Sequence, residues 1–185
     1  MSLKHAMLVS LAERPASGYD LVRRFDRSVG YFWRASHQQI YRELPKLEAA
    51  EWVSAEAVAQ TGKPDKRVYA ITPQGRAALD AWLARPVGPE PVRESLMVKV
   101  RGAALLGVDA VLEEIQRHRE VHADKLALFR QIEREDFGQG PGDDRKTRCR
   151  YLALRSGLLY HESWVSWCDE ALALLSETPP SSDVA

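Results

Sequence analysis

Four consecutive residues, Ser36, His37, Gln38 and Gln39, bring together a hydroxyl, an imidazole and two amides with no acid among them. Acids are favoured in the first turn of a helix, where they complement the dipole, so their absence here is informative. A glutamine amide bonds adenine through two atoms at once, and Ser, His and Arg reach base edges or phosphates. Arg42 and Lys46 continue the same side toward phosphates. Ile40, Leu44 and Leu47 recur at i, i+4 and i+7, a narrow apolar stripe that would hold the helix to a core. The plain alternative is a helix with a polar first turn and no ligand. About twenty residues on, "QTGKPDKRVYAIT" sets Lys63, Lys66 and Arg67 at a turn between two alternating segments. A basic hairpin tip suits phosphate or minor-groove contact, although such tips are also common as solvated turns.

The elements that must position these residues follow from the pattern. A helix over roughly Leu3 to Ala12 precedes a second that starts near Ser17, with Tyr19, Leu21, Val22 and Phe25 as its apolar residues. The third helix lies within "FWRASHQQIYRELPKLEAAEWV", residues Phe32 to Val53. "WVSAEAVAQ" and "RVYAIT" alternate as strands around the turn chemistry of "TGKPDK". Thr72 followed by Pro73 is a start signal for a fourth helix, "PQGRAALDAWLA". Three helices, a hairpin and a helix make the order of a winged helix-turn-helix over residues 1–85.

Proline and glycine then mark a linker at 86–92, the elements within 93–178 read as helices with a break at "DFGQGPGDD", Asp136 to Asp144, and a disordered tail follows at 179–185. The predicted fold is therefore mostly α with a small β-hairpin wing, a winged helix-turn-helix domain joined to a C-terminal α-helical domain. Asp109 is expected to cap one long helix. "RKTRCRYLALRSGLLYHESWVSWCDEALALLSE" forms another of about nine turns. Helices this long have more apolar face than a small domain covers, so a second chain or a ligand must take the excess. Tyr160, His161, Trp164 and Trp167 are candidates for that seam, with Trp82 of the fourth helix packing toward the same region. They line either an effector cavity or, as the favoured reading, a packed dimer interface.

Glu114, His118 and His122 fall at i, i+4 and i+8 and could hold a metal, but a solvated face is the commoner use, and no metal or cofactor is expected. Cys149 and Cys168 lie too far apart on one helix to pair and read as reduced, packed thiols. The sequence has no phosphate loop, nucleophile elbow or separable carboxylate pair, so catalysis is not expected. It also has no apolar run of membrane-spanning length and no signal-peptide pattern, which predicts a cytoplasmic protein. The net charge of zero hides an asymmetry. Residues 1–85 hold 13 Lys and Arg against 9 Asp and Glu, and the remainder 13 against 17. The basic front is the part suited to a polyanion.

These motifs together resemble the PadR family of bacterial transcriptional regulators. "SGYDL", "FWRASHQQIYRELPKLEAAEWV" and "GKPDKRVYAITPQGRAALDAWL" carry the resemblance at the front, and "PVRESLMVKVRGA" resembles the start of the C-terminal domain of its AphA-like branch. The resemblance implies a homodimer formed by the C-terminal helices, a pseudo-palindromic duplex DNA operator, repression, and in some members a phenolic or drug-like effector. It also implies that Tyr19, the first turn of the third helix and the wing Lys and Arg touch DNA, with Ser17 and Tyr41 counted beside them. Two rival readings are a winged-helix interaction module that binds no DNA and an enzyme with a helical-bundle active site around Glu114, His118 and His122.

Two residues depart from the family pattern. Pro45 sits inside the third helix, where it removes a backbone bond and should bend the helix. Glu51 stands where such a helix commonly ends in a left-handed glycine.

Overall fold

The computed structural model describes residues 3–26, 35–59, 66–89, 93–138 and 140–176. Lys63 and the tail at 179–185 lie outside them. The chain divides into two compact units, Met1–Pro89 and Glu90–Ala185.

The first unit runs α1 (Leu3–Glu13), β1 (Ala16–Ser17), α2 (Gly18–Asp26), α3 (His37–Ala49), β2 (Val53–Val58), β3 (Lys66–Ile71) and α4 (Pro73–Leu83). Its sheet has the order β1-β3-β2, antiparallel throughout. Val53 pairs with Ile71 and Val58 with Lys66, so β2 and β3 form the expected wing. Sequence reasoning missed β1, which is two residues long and too short to show a period. It pairs Ala16 with Tyr69 and Ser17 with Val68. The core is one cluster in which Leu8, Leu11, Leu21, Phe25, Ile40, Leu44 and Leu47 are almost wholly removed from water. Arg24 closes the α1–β1 corner by donating to the carbonyls of Ser10 and Arg14, at 2.9 and 2.7 Å. That basic residue is committed to structure.

Both ends of α3 are closed locally. At the front, the Ser36 hydroxyl accepts from the Gln39 N–H at 3.2 Å, and the Ser36 N–H donates to Gln39 Oε1 at 2.8 Å. This is a capping box. At the back, Trp52 N–H reaches the Leu47 carbonyl and Glu51 N–H the Glu48 carbonyl, both at 2.9 Å. The pair is a Schellman motif, which requires a left-handed residue at Glu51. Glu51 has φ of 57° and is the one non-glycine residue with positive φ among the described residues. The Thr72 hydroxyl donates to the Glu51 carbonyl at 2.6 Å and the Thr72 N–H to that of Trp52 at 3.1 Å, tying this corner to α4. Gly75 permits the approach, since a Cβ there would lie 2.0 Å from the Trp52 carbonyl oxygen. Pro45 does not end α3, which continues to Ala49, and its ring is exposed.

Trp82 belongs to the first unit's core. It stacks on His5 with ring centroids 4.7 Å apart and planes 8° apart. α4 packs on α1, which brings the last turn of α4 to the His5 ring.

The second unit is helical: α5 (Ser95–Leu106), α6 (Asp109–Phe137) and α7 (Arg145–Ser176). Successive pairs Arg119–Asp169, Arg130–Glu162 and Arg150–Asp136 run in opposite directions along α6 and α7, so the two helices are antiparallel. At Gly157 the helices approach so closely that a Cβ would stand 2.3 Å from the Phe129 ring. Asp109 does not cap α6. It is the first helical residue, where its charge still favours the dipole, and Val108 holds the cap position without a side-chain bond. Cys168 is buried and Cys149 exposed, so only the former is packed as expected. Among the described residues, no helix is long and apolar enough to cross a membrane.

Two stability consequences follow. Glu51→Gly relieves a left-handed L-residue and should stabilise the protein by about 0.5–1 kcal/mol, raising Tm by roughly 2–5 °C in a thermal melt. Burial, reinforced by Lys4, holds the His5 pKa below its ordinary value of 6.5. The unfolded chain therefore takes up a proton that the folded one refuses as pH falls through that value. Stability should drop below about pH 7, and His5→Phe, which keeps the ring on Trp82, should flatten that part of a Tm-against-pH curve.

Candidate nucleic-acid interface

The stripe predicted for α3 is fully used. Ile40, Leu44 and Leu47 are buried, while Ser36, His37, Gln38, Gln39, Tyr41, Arg42 and Lys46 face solvent. The first turn carries no acid. An exposed polar turn on a helix anchored from behind is the arrangement in which a helix-turn-helix presents side chains to a major groove.

The candidates in that turn are not equivalent. Gln39 Oε1 already accepts the Ser36 N–H. Two-point contact with adenine needs both the amide oxygen and the amide nitrogen. While the cap stands, the Gln39 amide has its oxygen engaged, whereas no described bond engages the Gln38 amide. Ser36 likewise has its hydroxyl engaged by the Gln39 N–H.

Beside α3, the N-terminus of α2 and the wing enclose an open recess of about 610 Å³, its wall including Ser17, Tyr19, Asp20, Tyr41, Lys66 and Arg67. Ser17 is nearly buried and is the N-cap of α2. It accepts the Asp20 N–H at 3.1 Å and donates to Asp20 Oδ2 at 2.7 Å. Its hydroxyl lies in the recess wall, engaged by Asp20. Tyr19 and Tyr41 stand out at its rim, 62% and 50% exposed. The Arg23 guanidinium lies 5.8 Å from the centre of the Tyr19 ring.

Sequence reasoning missed the acids that face the cations. Lys66 Nζ meets Asp20 Oδ2 at 3.2 Å, Arg67 Nη2 meets Glu48 Oε1 at 2.6 Å, and Lys46 meets Glu43 at 2.9 Å. The Ser17 hydroxyl and then Lys66 hold the Asp20 carboxyl below its usual range, so it is ionised at neutral pH. Only the Glu43–Lys46 pair has a helical spacing that sequence could reveal. The other two join residues 46 and 19 positions apart.

In the second unit, Tyr160, His161, Trp164 and Trp167 do come together, against α6. Trp164 stacks on His118 and His122 at 5.7 and 4.8 Å and meets Trp167 edge-on at 5.6 Å. His122 Nδ1 lies 2.9 Å from His161 Nδ1, one ring donating to the other. Glu114 pairs with Lys99 at 2.6 Å. The stripe expected to be either solvated or metal-binding is thus a packed aromatic column with an ion pair at one end. Among the described residues no group of three His, Cys, Asp or Glu is placed to hold a metal.

A winged helix with an exposed, acid-free first turn on its third helix, joined to a separate long-helix unit, fits a class of transcription factor, and comparison with known proteins identifies the branch. Residues 7–81 match the PadR-like family of transcriptional regulators, and residues 92–176 match the virulence activator alpha C-terminal domain. A probable transcriptional regulator of Mycobacterium tuberculosis is 44% identical over 96% of this chain and 99% of its own length. The Vibrio cholerae virulence activator AphA superposes with a TM-score of 0.79 at 34% identity, over 95% of this chain and 98% of that one. Bacillus subtilis PadR, a negative transcriptional regulator, has been solved with operator DNA and with p-coumaric acid. The DNA complex matches with a TM-score of 0.80 at 28% identity, over 93% and 97% of the two chains, and the p-coumaric acid complex with 0.75 at 27%, over 95% and 96%. The chain belongs to the PadR-like family of transcriptional regulators.

The division of labour in the first turn of α3 has a direct check. Ser36→Ala and Gln39→Ala each open the capping box and should cost about 1 kcal/mol in chemical denaturation. Gln38→Ala, which breaks no described bond, should stay within about 0.5 kcal/mol of wild type.

Proposed function

We propose that this protein is a cytoplasmic, sequence-specific DNA-binding repressor that grips a pseudo-palindromic operator as a homodimer. The observation that carries the reading is the exposed, acid-free first turn of α3, closed by its own cap and flanked by Tyr19, Arg42 and the wing. In this reading Gln38 and His37 meet base edges, with Ser36 and Gln39 holding the turn in register. Arg42, Lys46, Lys66, Arg67 and Lys63 meet the backbone, as do Tyr19 and Tyr41. The operator complex of B. subtilis PadR supports DNA as the ligand, and that protein's role as a negative regulator supports repression.

The second unit supports the dimer. Val98, Leu105, Leu152, Leu159 and Leu174 are all more than half exposed, an apolar surplus along α5 and α7 that a second copy would cover. The winged unit 1–85, the linker 86–92 and the helical unit 93–178 then act as reading head, tether and assembly domain. The complex of B. subtilis PadR with p-coumaric acid supports a small aromatic effector, for which Tyr160, His161, Trp164 and Trp167 are the candidate walls here.

Fluorescence anisotropy tests the reading with a duplex from upstream of the protein's own gene and a scrambled duplex, across a salt series. The expected result is preference for the native duplex, two chains bound per duplex, and affinity that falls steeply with salt. Gln38→Ala should lose about 1–3 kcal/mol on the native duplex alone. Equal weakening on both duplexes would remove Gln38 from base reading.

A further inference from the structure

The described wing cations are not free charges. Lys66 belongs to an acid on α2 and Arg67 to an acid on α3, at 3.2 and 2.6 Å. As stability elements these pairs count for little. All four side chains are a third or more exposed, and exposed pairs of this kind contribute marginally. Asp20 also favours the α2 N-terminus and accepts the Ser17 hydroxyl, but an asparagine there would keep a hydrogen-bond acceptor. The position of the two acids is therefore more telling than their energy. They come from the two helices of the helix-turn-helix, and both reach to the strand that forms the wing.

Building on the DNA reading proposed above, we propose that Asp20 and Glu48 are specificity-determining counter-ions of the wing. They balance Lys66 and Arg67 and fix where those cations point, so a duplex cannot be held by the wing on charge alone. Non-specific affinity is almost entirely phosphate neutralisation, and it grows with each unpaired cation. A cation with a carboxylate against it attracts a phosphate weakly at a distance. It still has donors to spare, since a Lys ammonium has three and an Arg guanidinium five. A phosphate uses them only if it arrives on the side away from the carboxylate. Base contacts from the first turn of α3 set the register that delivers a phosphate to that side. A duplex lacking those bases meets the acids as often as the cations.

The test uses the full-length chain and its Asp20→Asn, Glu48→Gln and double variants, with the native upstream duplex and the scrambled one. Each acid removed should strengthen scrambled-duplex binding by about two- to fivefold, the scale of one exposed ion pair. The slope of log K against log salt on that duplex should steepen by about 0.9 per acid. The native duplex should gain less, so the preference for it narrows. Unchanged slopes and unchanged scrambled-duplex affinity in the double variant would overturn the proposal, as would equal gains on both duplexes. A wild-type protein that bound neither duplex at low salt would instead overturn the DNA reading beneath it. Melting temperatures within a few degrees of wild type confirm that the variants are folded.

Discussion

Everything the first unit presents to solvent depends on how firmly α3 is seated. Ile40, Leu44 and Leu47 enter the same core as Phe25, Leu8 and Leu11, and truncating any one of them would cost about 2–5 kcal/mol. Burial fixes which face of the helix points outward, but it does not prevent the ends from fraying. The capping box closes the front end, and the Schellman corner at Glu51 and Trp52 closes the back. The corner is in turn gripped by Thr72 and Gln74 from the start of α4. The presented turn is thus rigid for reasons internal to the fold. A preordered recognition surface has less conformational freedom to lose when it meets a partner.

That seating also explains why one position in the turn differs from its neighbours. A four-residue stretch rich in hydrogen-bonding groups looks uniformly available in one dimension. In three dimensions half of it is occupied with making the helix begin. Ser36 and Gln39 satisfy two N–H groups that would otherwise be orphaned, and the Gln38 side chain between them faces solvent.

Much of this was legible in the sequence. The stripe of α3, the hairpin, the Thr72 cap and the left-handed Glu51 are all local, set by residues within a turn or two of each other. What was not legible was long-range. The strand β1 is defined only by its pairing with Tyr69 and Val68. The stack of Trp82 on His5 joins residues far apart in the chain, which no local pattern shows. His118 and His122 looked like a solvated or metal-binding stripe because helical spacing says which residues share a face, not what lies opposite. The opposite wall, Trp164 and His161, is some forty residues away. The pairing of the acids beside the wing was hidden for the same reason, since a count of charges does not say which cation each acid faces.

That last point bears on how the two units would work together. A front unit with a surplus of four positive charges suggests strong, indiscriminate attraction to DNA. That surplus already counts the acids, but Lys46, Lys66 and Arg67 each face a carboxylate, so the cations nearest the presented turn attract a phosphate less than isolated cations would. Weakness in one head is an advantage if heads act in pairs. On the proposed dimer, the second contact becomes intramolecular once the first is made, and the gain is realised only where two half-sites stand at the right spacing. A head that bound tightly by charge would hold any duplex through one contact and discard that requirement. On that proposal, counter-ions on the wing would lower single-head affinity, and the apolar surplus on the long helices would restore affinity for paired sites alone.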